Sequence, residues 1–543
     1  MSVWTDHLMI APIIVPLLAG AVMMLIDERR RTLKAALGVA SALVLLVLAV
    51  ALLRMADGMP VDGGAVTVRV YRLGDWPSLF GIVLVLDRLA ALMLLLTAIL
   101  GIAALVFSLA RWQNAGAHFH SLFQFQLMGL NGAFLTGDLF NLFVFFEIML
   151  AASYGLALHG SGIARVRAGL HYLVINLAAS LLFLIGVSMI YGVAGTLNMA
   201  ELANRIAAIA SEDRPLLEAG AAILGIAFLI KAGMWPLGFW LPNTYSTVSA
   251  PSAAIISILS KVGIYAVLRL WLLMFGESGG ASAGFGSVWL LTGGLLTIAF
   301  GSVAVLATQS MARLAGASVL VSSGTLLAAI GAGQIAVIGG ALFYLTSSVL
   351  AIAGFFLLIE MVERGREVGA DVLAVTREAF GEDEEMDEDD EVGVPIPATM
   401  AVLGASFIAC ALLLAGLPPL SGFLAKFALL GPLLPLDGGA VSTTAWALLA
   451  ALILSGLATV IAMTRTGIDV FWASPVGTVP RVRVIELAPV IMLLTLCVAL
   501  TVQAGPVMRY MEATARSMQV PHGYIGGVSP TPWPSASEEG SDR

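Results

Sequence analysis

The sequence predicts an all-α polytopic membrane protein with about 14 transmembrane helices. Its 543 residues are 59% hydrophobic and only 11% charged, whereas soluble globular proteins carry about 25% charged residues. Spanning the hydrocarbon core takes about 20 apolar helical residues, and about 14 such runs follow one another along the chain. No ten-residue stretch alternates with period two, which excludes membrane strands. The composition also excludes a soluble enzyme of several domains.

The runs divide the chain into segments. Their centres fall roughly at residues 17, 43, 95, 129, 148, 180, 225, 263, 297, 323, 350, 408, 453 and 495. The first run is too long for a signal peptide, and its positive cluster follows it instead of preceding it. The predicted segments are helices 1 and 2 (1–64), a small external hairpin (65–80), transmembrane helix 3 (81–110), a first half of five helices (119–276), a second half (285–362 and 395–465), an acidic cytoplasmic loop (363–394), a last transmembrane helix (484–506) and a disordered tail (507–543).

Three of these segments are assigned from local patterns. Alternation of Val66, Val68 and Val70 with polar residues predicts the hairpin. Nine acids between residues 382 and 391 account for the net charge of -8 and indicate a solvated, disordered loop. The tail is rich in Pro, Gly and Ser.

The basic residues predict the orientation. About half of the 27 basic residues fall on one side if the runs alternate across the membrane. By the positive-inside rule that side is cytoplasmic, which places both termini on the outer side. We therefore expect a multi-pass membrane protein in contact with lipid.

Four ionisable residues lie inside the apolar runs: Glu147, Lys231, Lys261 and Lys426. A charge at mid-membrane costs at least about 2.5–3.5 kcal/mol, so such residues indicate function. A structural ion pair that only orients helices is the alternative. Three lysines and one glutamate cannot pair completely, and the surplus lysines must be neutral, hydrated or bound to an anion. The pattern therefore favours a proton relay in which Glu147 pairs with a lysine.

Pro/Gly interruptions break the seventh and twelfth runs. Proline removes a backbone donor and frees carbonyls that only protein or water can satisfy. Broken spans at matching places in two halves indicate a transporter's midplane site. Each break falls in the fourth helix of a five-helix unit (runs 4–8 and 9–13), and the odd number predicts two inverted repeats. The breaking residues are Pro236, Pro418 and Pro419.

The remaining reactive residues predict no cofactor and no metal site. The six histidines are scattered without the spacing of a metal site, although His171 could extend a polar path in the sixth run. Cys410 and Cys497 are too few and too far apart for a disulfide framework. Nucleotide-binding loops and basic nucleic-acid patches are missing from the sequence, so we expect no nucleic-acid partner.

Five stretches of the chain resemble the antiporter-like subunits shared by Mrp-type multisubunit cation/proton antiporters and respiratory complex I. The resemblance covers residues 80–505, and its most specific stretches are 137–147, 191–200, 231–242, 260–269 and 416–426. It implies that Glu147, Lys231, Lys261 and Lys426 carry the protons. It also implies that the other subunits of an Mrp antiporter complex are the chain's partners.

Within this family the chain is similar to the D subunits of Mrp complexes. The complex I relatives usually have histidine where this chain has Gly238. Many relatives also place histidine where Ser246 stands, and another in the eleventh run. Here the eleventh run must use hydroxyls and water, with Ser347 and Ser348 as candidates. Tyr265, in the eighth-run stretch, is a further candidate for the proton path.

These observations predict a secondary ion transporter subunit and not an enzyme. In the leading hypothesis, inward proton movement through the Glu/Lys relay drives export of Na⁺ or K⁺. The alternative is a proton-pumping subunit of a complex I-like NADH:quinone oxidoreductase or membrane-bound hydrogenase. A scaffold that only docks other subunits is disfavoured, because apolar residues in place of the lysines would stabilise it.

Overall fold

The computed structural model describes residues 7–59, 67–77, 81–367, 398–434, 440–471, 482–519 and 521–528. The described chain is almost entirely helical, as predicted. Twelve helical spans are long and apolar enough to cross a membrane. Each of the 14 predicted runs contains a described helix, and the two helices shorter than a full span are those of the first and fourth runs.

The N-terminal part contains two helices, a β-hairpin and a third helix that leads into the first half. The elements are α1 (Ala11–Leu25), α2 (Arg31–Asp57), β1 (Arg69–Arg72), β2 (Val83–Leu86) and α3 (Arg88–Ser108). The first half then contains α4 (Phe119–Leu135), α5 (Leu139–Leu158), α6 (Ile163–Ala194), the short α7 (Met199–Ile206), α8 (Arg214–Ala232), α9 (Leu241–Thr247), α10 (Ala250–Ile256) and α11 (Leu259–Phe275).

The second half and the C-terminal part follow. Their elements are α12 (Ser287–Ala307), α13 (Met311–Ala332), α14 (Ile335–Glu367), α15 (Ala398–Ala415), α16 (Ser421–Leu430), α17 (Thr443–Phe471), α18 (Val484–Val502), α19 (Ala504–Gln519) and α20 (Pro521–Val528). Helix α14 continues to Glu367, so the segment predicted as a loop from residue 363 begins in a helix. The acidic stretch of that loop lies outside the described residues.

The hairpin differs from the prediction in its second strand. Strand β1 pairs antiparallel with β2, with Arg69 opposite Leu86 and Arg72 opposite Val83. The sequence places the residues of β2 in the third transmembrane helix, because four consecutive apolar residues fit a buried strand and a buried helix equally well. The helix begins only after Asp87, whose carboxylate accepts a hydrogen bond from the Ala90 N–H at 2.8 Å.

The segment predicted as a disordered tail contains two helices. Met508, Met511 and Ala515 in α19 have helical spacing, and Met511 and Ala515 are buried against the rest of the chain. Helix α20 buries Tyr524 and Val528. The tail prediction rested on the Pro, Gly and Ser content of the segment, which does not indicate an apolar helix face. Residues 529–543 lie outside the described part.

Glycines bring α12 and α13 into close contact. A Cβ atom added to Gly294 would lie 2.4 Å from the backbone nitrogen of Ala328, and one added to Gly331 would lie 2.3 Å from that of Leu291. Small residues allow membrane helices to approach until their backbones touch. This contact fixes the rotation of α13, which carries a serine pair of the candidate site.

Candidate functional site

Glu147 lies on α5 and faces α6. Its Oε1 accepts a hydrogen bond from the hydroxyl of Ser180, which is buried, while Glu147 itself is half-buried within the chain. Phe146, the preceding residue, packs edge-on against Phe183 and Phe228 at ring distances of 5.8 and 6.0 Å. The carboxylate therefore sits beside an aromatic cluster with one hydroxyl partner.

Lys231 occupies the last turn of α8, next to the same cluster. Its Nζ lies 4.9 Å from the centroid of the Phe146 ring, a cation–π contact. Glu147 is near enough for its charge to act on the ammonium, but among the described residues no salt bridge joins the two. The predicted pair is thus brought to one site without direct contact between its charges.

A glycine on α11 brings the next lysine close to this site. A Cβ added to Gly263 would lie 2.7 Å from the backbone nitrogen of Ala232 and 2.8 Å from the carbonyl oxygen of Phe228. Helix α11 therefore touches the end of α8, and Lys261 lies two residues before the contact point. Nothing in the sequence pattern indicates this role for Gly263.

Lys261 is buried, with 1% of its surface exposed. Its Nζ donates a hydrogen bond to the Ser323 hydroxyl on α13 at 3.3 Å. In the part of the chain that the structure describes, no carboxylate forms a salt bridge with it. An ammonium in this position has a neutral hydroxyl as its partner, which is an unfavourable setting for a permanent charge.

Tyr265 lies one turn after Lys261 and is held by a buried ion pair. Its hydroxyl donates to the Phe134 carbonyl at 2.7 Å and accepts from Arg269 Nε at 2.8 Å. Arg269 in turn binds the Asp87 carboxylate at 2.8 Å. The hydroxyl proton of Tyr265 is thus committed to a backbone carbonyl, and the residue anchors α11 to the start of α3.

The Asp87–Arg269 pair provides a stability prediction. Asp87→Asn leaves a buried guanidinium without its counter-charge, and breaking such a pair costs about 3–5 kcal/mol. We expect a clear fall in the melting temperature and yield of the assembled complex. The matched control is Glu512→Gln, which removes an exposed partner of Arg516 and should change stability by less than about 1 kcal/mol. Equal melting of the two variants would contradict the prediction.

A chain of hydroxyl groups lies in the second half, on the helix of Ser323 and the helices that follow it. Ser322, next to Ser323 on α13, donates to Ser348 on α14 at 3.0 Å. Ser347 shares a hydrogen bond of 2.8 Å with Ser421 at the start of α16. Between these pairs lies a cavity of about 20 Å³, enough for one water molecule. We call it the hydroxyl cavity, and its polar lining consists of Ser318, Ser322, Tyr344, Ser347, Ser348 and Thr459.

Lys426 lies on α16, five residues after Ser421. Its Nζ donates to the carbonyl oxygen of Ala415, the last residue of α15, at 2.7 Å. Gly456 on α17 leaves space for this bond, since an added Cβ would lie 2.9 Å from that oxygen and 3.3 Å from Nζ. Lys426 therefore binds the free end of a broken helix instead of a carboxylate.

The two helix breaks share their geometry. Helices α8 and α15 both end at a glycine with positive φ, +78° at Gly233 and +73° at Gly416. The N–H of the following residue bonds the carbonyl five residues back in each case, Met234 to Leu229 and Leu417 to Leu412, both at 3.0 Å. Pro236 lies in the first break, and Pro418 and Pro419 lie in the second.

His171 is not brought to this site. Its side chain is on the exposed face of α6, whereas the adjacent Tyr172 is buried and shares a hydrogen bond of 2.6 Å with Ser153. The two residues lie about 100° apart around the helix, and a uniformly apolar run does not reveal which of them faces inwards. Across the described ranges, no group of three or more His, Cys, Asp or Glu is placed to hold a metal ion.

Several site residues were missed by sequence reasoning. All are serines: Ser180, Ser322 and Ser323 lie inside apolar runs, and Ser421 lies at the second helix break. A serine pair in the middle of a predicted span, as in 322–323, is the signal that could have identified them. Serine is also common at membrane helix contacts, so the signal is weak.

The chain is similar in sequence and in fold to known membrane subunits. Residues 136–457 match the family described as NADH:quinone oxidoreductase/Mrp antiporter, transmembrane. The D subunit of the probable K(+)/H(+) antiporter of Rhizobium meliloti is 61% identical over 96% of this chain and 97% of that protein. The D subunit of the Na(+)/H(+) antiporter of Alkalihalophilus pseudofirmus is 32% identical over 96% of this chain and 99% of that protein. A chain of the Mrp complex from Dietzia sp. superimposes with a TM-score of 0.80 at 25% identity, covering 97% of this chain and 100% of that one.

Proposed function

Because the chain belongs to the NADH:quinone oxidoreductase/Mrp antiporter family of membrane subunits, we propose that it is the proton-translocating D subunit of a multisubunit cation/proton antiporter. Inward proton movement through Glu147, Lys231, Lys261 and Lys426 drives export of K⁺ or Na⁺. The partners are the other subunits of that complex. The relative that is 61% identical has K⁺ in its name, so K⁺ is the first cation to test.

The observation that carries the proposal is the environment of Lys261. This lysine is almost completely buried and donates to a neutral hydroxyl. A purely structural lysine at this depth would be stabilised by a carboxylate partner or replaced by an apolar residue. A site that alternates between ammonium and amine needs neither, because its neutral form is compatible with burial.

The second half offers a path for the proton released by Lys261. Ser323 receives the ammonium's hydrogen bond, and Ser322 beside it opens onto the hydroxyl cavity. A water molecule there connects the Ser322–Ser348 pair with the Ser347–Ser421 pair. Ser421 begins the helix that carries Lys426. Hydroxyls and water thus take the place of the histidine common in relatives.

Glu147 and Lys231 act as the switch of the first half. In the arrangement described, the carboxylate binds Ser180 and the ammonium lies over Phe146, so the ion pair is open. Closing the pair would hold the proton on Lys231, and opening it would favour transfer towards Lys261. Gly263 provides the close contact between α8 and α11 across which this transfer takes place.

The cellular setting follows from composition and charge. The chain is a multi-pass membrane protein, and we infer that it lies in the bacterial inner membrane with both termini on the outer side.

Transport by the whole complex tests this function. We expect inverted vesicles that contain the complete complex to collapse an imposed ΔpH when K⁺ or Na⁺ is added. The same vesicles without this chain should not respond, because the relay is lost. The control is a complex with Glu218→Gln, which changes a carboxylate bound to Ser282 outside the relay and should transport normally. A ΔpH that collapses equally with and without this chain would rule out the proposal, and a response that requires NADH would favour the redox alternative.

A further inference from the structure

Most of the hydroxyls that line the hydroxyl cavity present oxygen lone pairs to it rather than protons. A hydroxyl has one proton and two lone pairs. Four of the hydroxyls that line the cavity already donate their proton within the protein. These bonds run from Ser318 to the Leu314 carbonyl (2.9 Å), from Thr459 to the Ser455 carbonyl (2.8 Å), from Ser348 to the Leu345 carbonyl (3.2 Å) and from Ser322 to Ser348 (3.0 Å). The cavity therefore favours an occupant that brings positive charge or protons of its own.

The C-terminal end of α15 adds to the preference of the hydroxyl cavity for a positively charged occupant. Leu413 and Leu414, in the last turn of α15, also line the cavity. The Leu414 carbonyl lacks its helical donor because residue 418 is a proline without an N–H. The C-terminal end of a helix carries a partial negative charge. The free carbonyls and C-terminal ends of broken helices coordinate Na⁺ in other transporters.

The charged groups around the cavity are cationic. Lys261 donates to Ser323, the neighbour in sequence of the lining residue Ser322, and Lys426 lies on the helix that Ser421 begins. The other titratable side chains nearby are Tyr344 in the lining and Cys497 beside Ser421. A cation in the cavity would be repelled by the two ammonium groups and admitted when they are neutral.

We propose that the hydroxyl cavity binds the alkali cation that the antiporter exports. The inference rests on the proposed function and adds a location for the cation in this chain. One volume then holds either the water that relays protons or a dehydrated K⁺ or Na⁺. Protons on Lys261 and Lys426 expel the cation, and an occupied cavity interrupts the proton path. The exchange of the two occupants couples the two ions.

The test uses Thr459→Val and Ser318→Ala in the complete complex, with K⁺ and Na⁺ as probes. Both changes remove an oxygen from the cavity, and neither residue belongs to the proton relay. Losing one ligand to a charged species should raise the cation concentration for half-maximal ΔpH collapse by about tenfold or more. The maximal rate at saturating cation should remain. Thr346→Val is the matched control, since this buried hydroxyl donates to the Leu342 carbonyl and does not line the cavity.

Each outcome either supports or overturns the proposed cation site. A shifted half-saturation concentration in the two cavity variants, with Thr346→Val unchanged, supports the cation site. Unchanged half-saturation overturns it, and so does a lower maximal rate at unchanged half-saturation, because the cavity then holds water only. Failure of the proposed function looks different: the unmodified complex would show no cation-dependent ΔpH collapse at all. Assembly of each variant is checked by the yield of the purified complex.

Discussion

Lys261→Arg is expected to slow cation-dependent proton movement at least about 100-fold, although the charge is retained. Arginine remains protonated at any working pH and cannot pass a proton to Ser323. Lys261→Met should fail equally, because it removes the proton site. The measurement is the initial rate of ΔpH collapse on addition of K⁺ or Na⁺ to vesicles with equal amounts of assembled complex.

A second buried lysine provides the matched control for this substitution. Lys34 on α2 is 2% exposed and forms a salt bridge with Glu28. Its charge is fixed by that partner, so Lys34→Arg should preserve transport. If Lys261→Arg transported at the normal rate, Lys261 would be a fixed charge, and the relay would have to pass elsewhere.

Glu147→Gln is expected to stop transport while the fold is kept. Glutamine can still accept the hydrogen bond from Ser180, but it has no charge to draw the proton back to Lys231. We expect a loss of about 100-fold or more in the same ΔpH assay, since the switch between open and closed pair disappears. Glu147→Asp should transport more slowly than the wild type, because the shorter aspartate side chain reaches less far towards Lys231.

The matched comparison for Glu147 is another glutamate with a serine partner. Glu218 accepts a hydrogen bond from Ser282 at 2.8 Å, and Glu218→Gln should leave the rate unchanged. A double variant with the two residues exchanged, Glu147→Lys with Lys231→Glu, keeps the ion pair. It interchanges the positions of the positive and negative charges relative to Lys261. Full transport by the exchanged protein would show that the pair is only structural.

Much of the architecture was predictable from the sequence because the solvent is lipid. Runs of about 20 apolar residues have few alternatives to a helix, since unpaired backbone groups in hydrocarbon are too costly. The same cost makes Glu147, Lys231, Lys261 and Lys426 stand out without structural information. Proline in mid-span likewise marked the positions of both helix breaks.

Short apolar stretches and the C-terminal segment were assigned wrongly for a different reason. Residues 83–86 form a buried strand, although their composition also fits the start of a helix. The C-terminal helices exist because α19 finds a partner surface for Met511 and Ala515. Local composition does not contain the information that such a surface is present.

The sequence by itself determined the helical membrane fold and the charged residues within it. Only the tertiary structure decided which groups meet: Lys261 with Ser323, Ser347 with Ser421, and Glu147 with Ser180 instead of directly with Lys231. The physical reason is that a run that is apolar all round has no preferred face in its sequence. Its rotation is fixed by close contacts such as that of Gly263 with the end of α8, and these contacts join residues far apart in the chain.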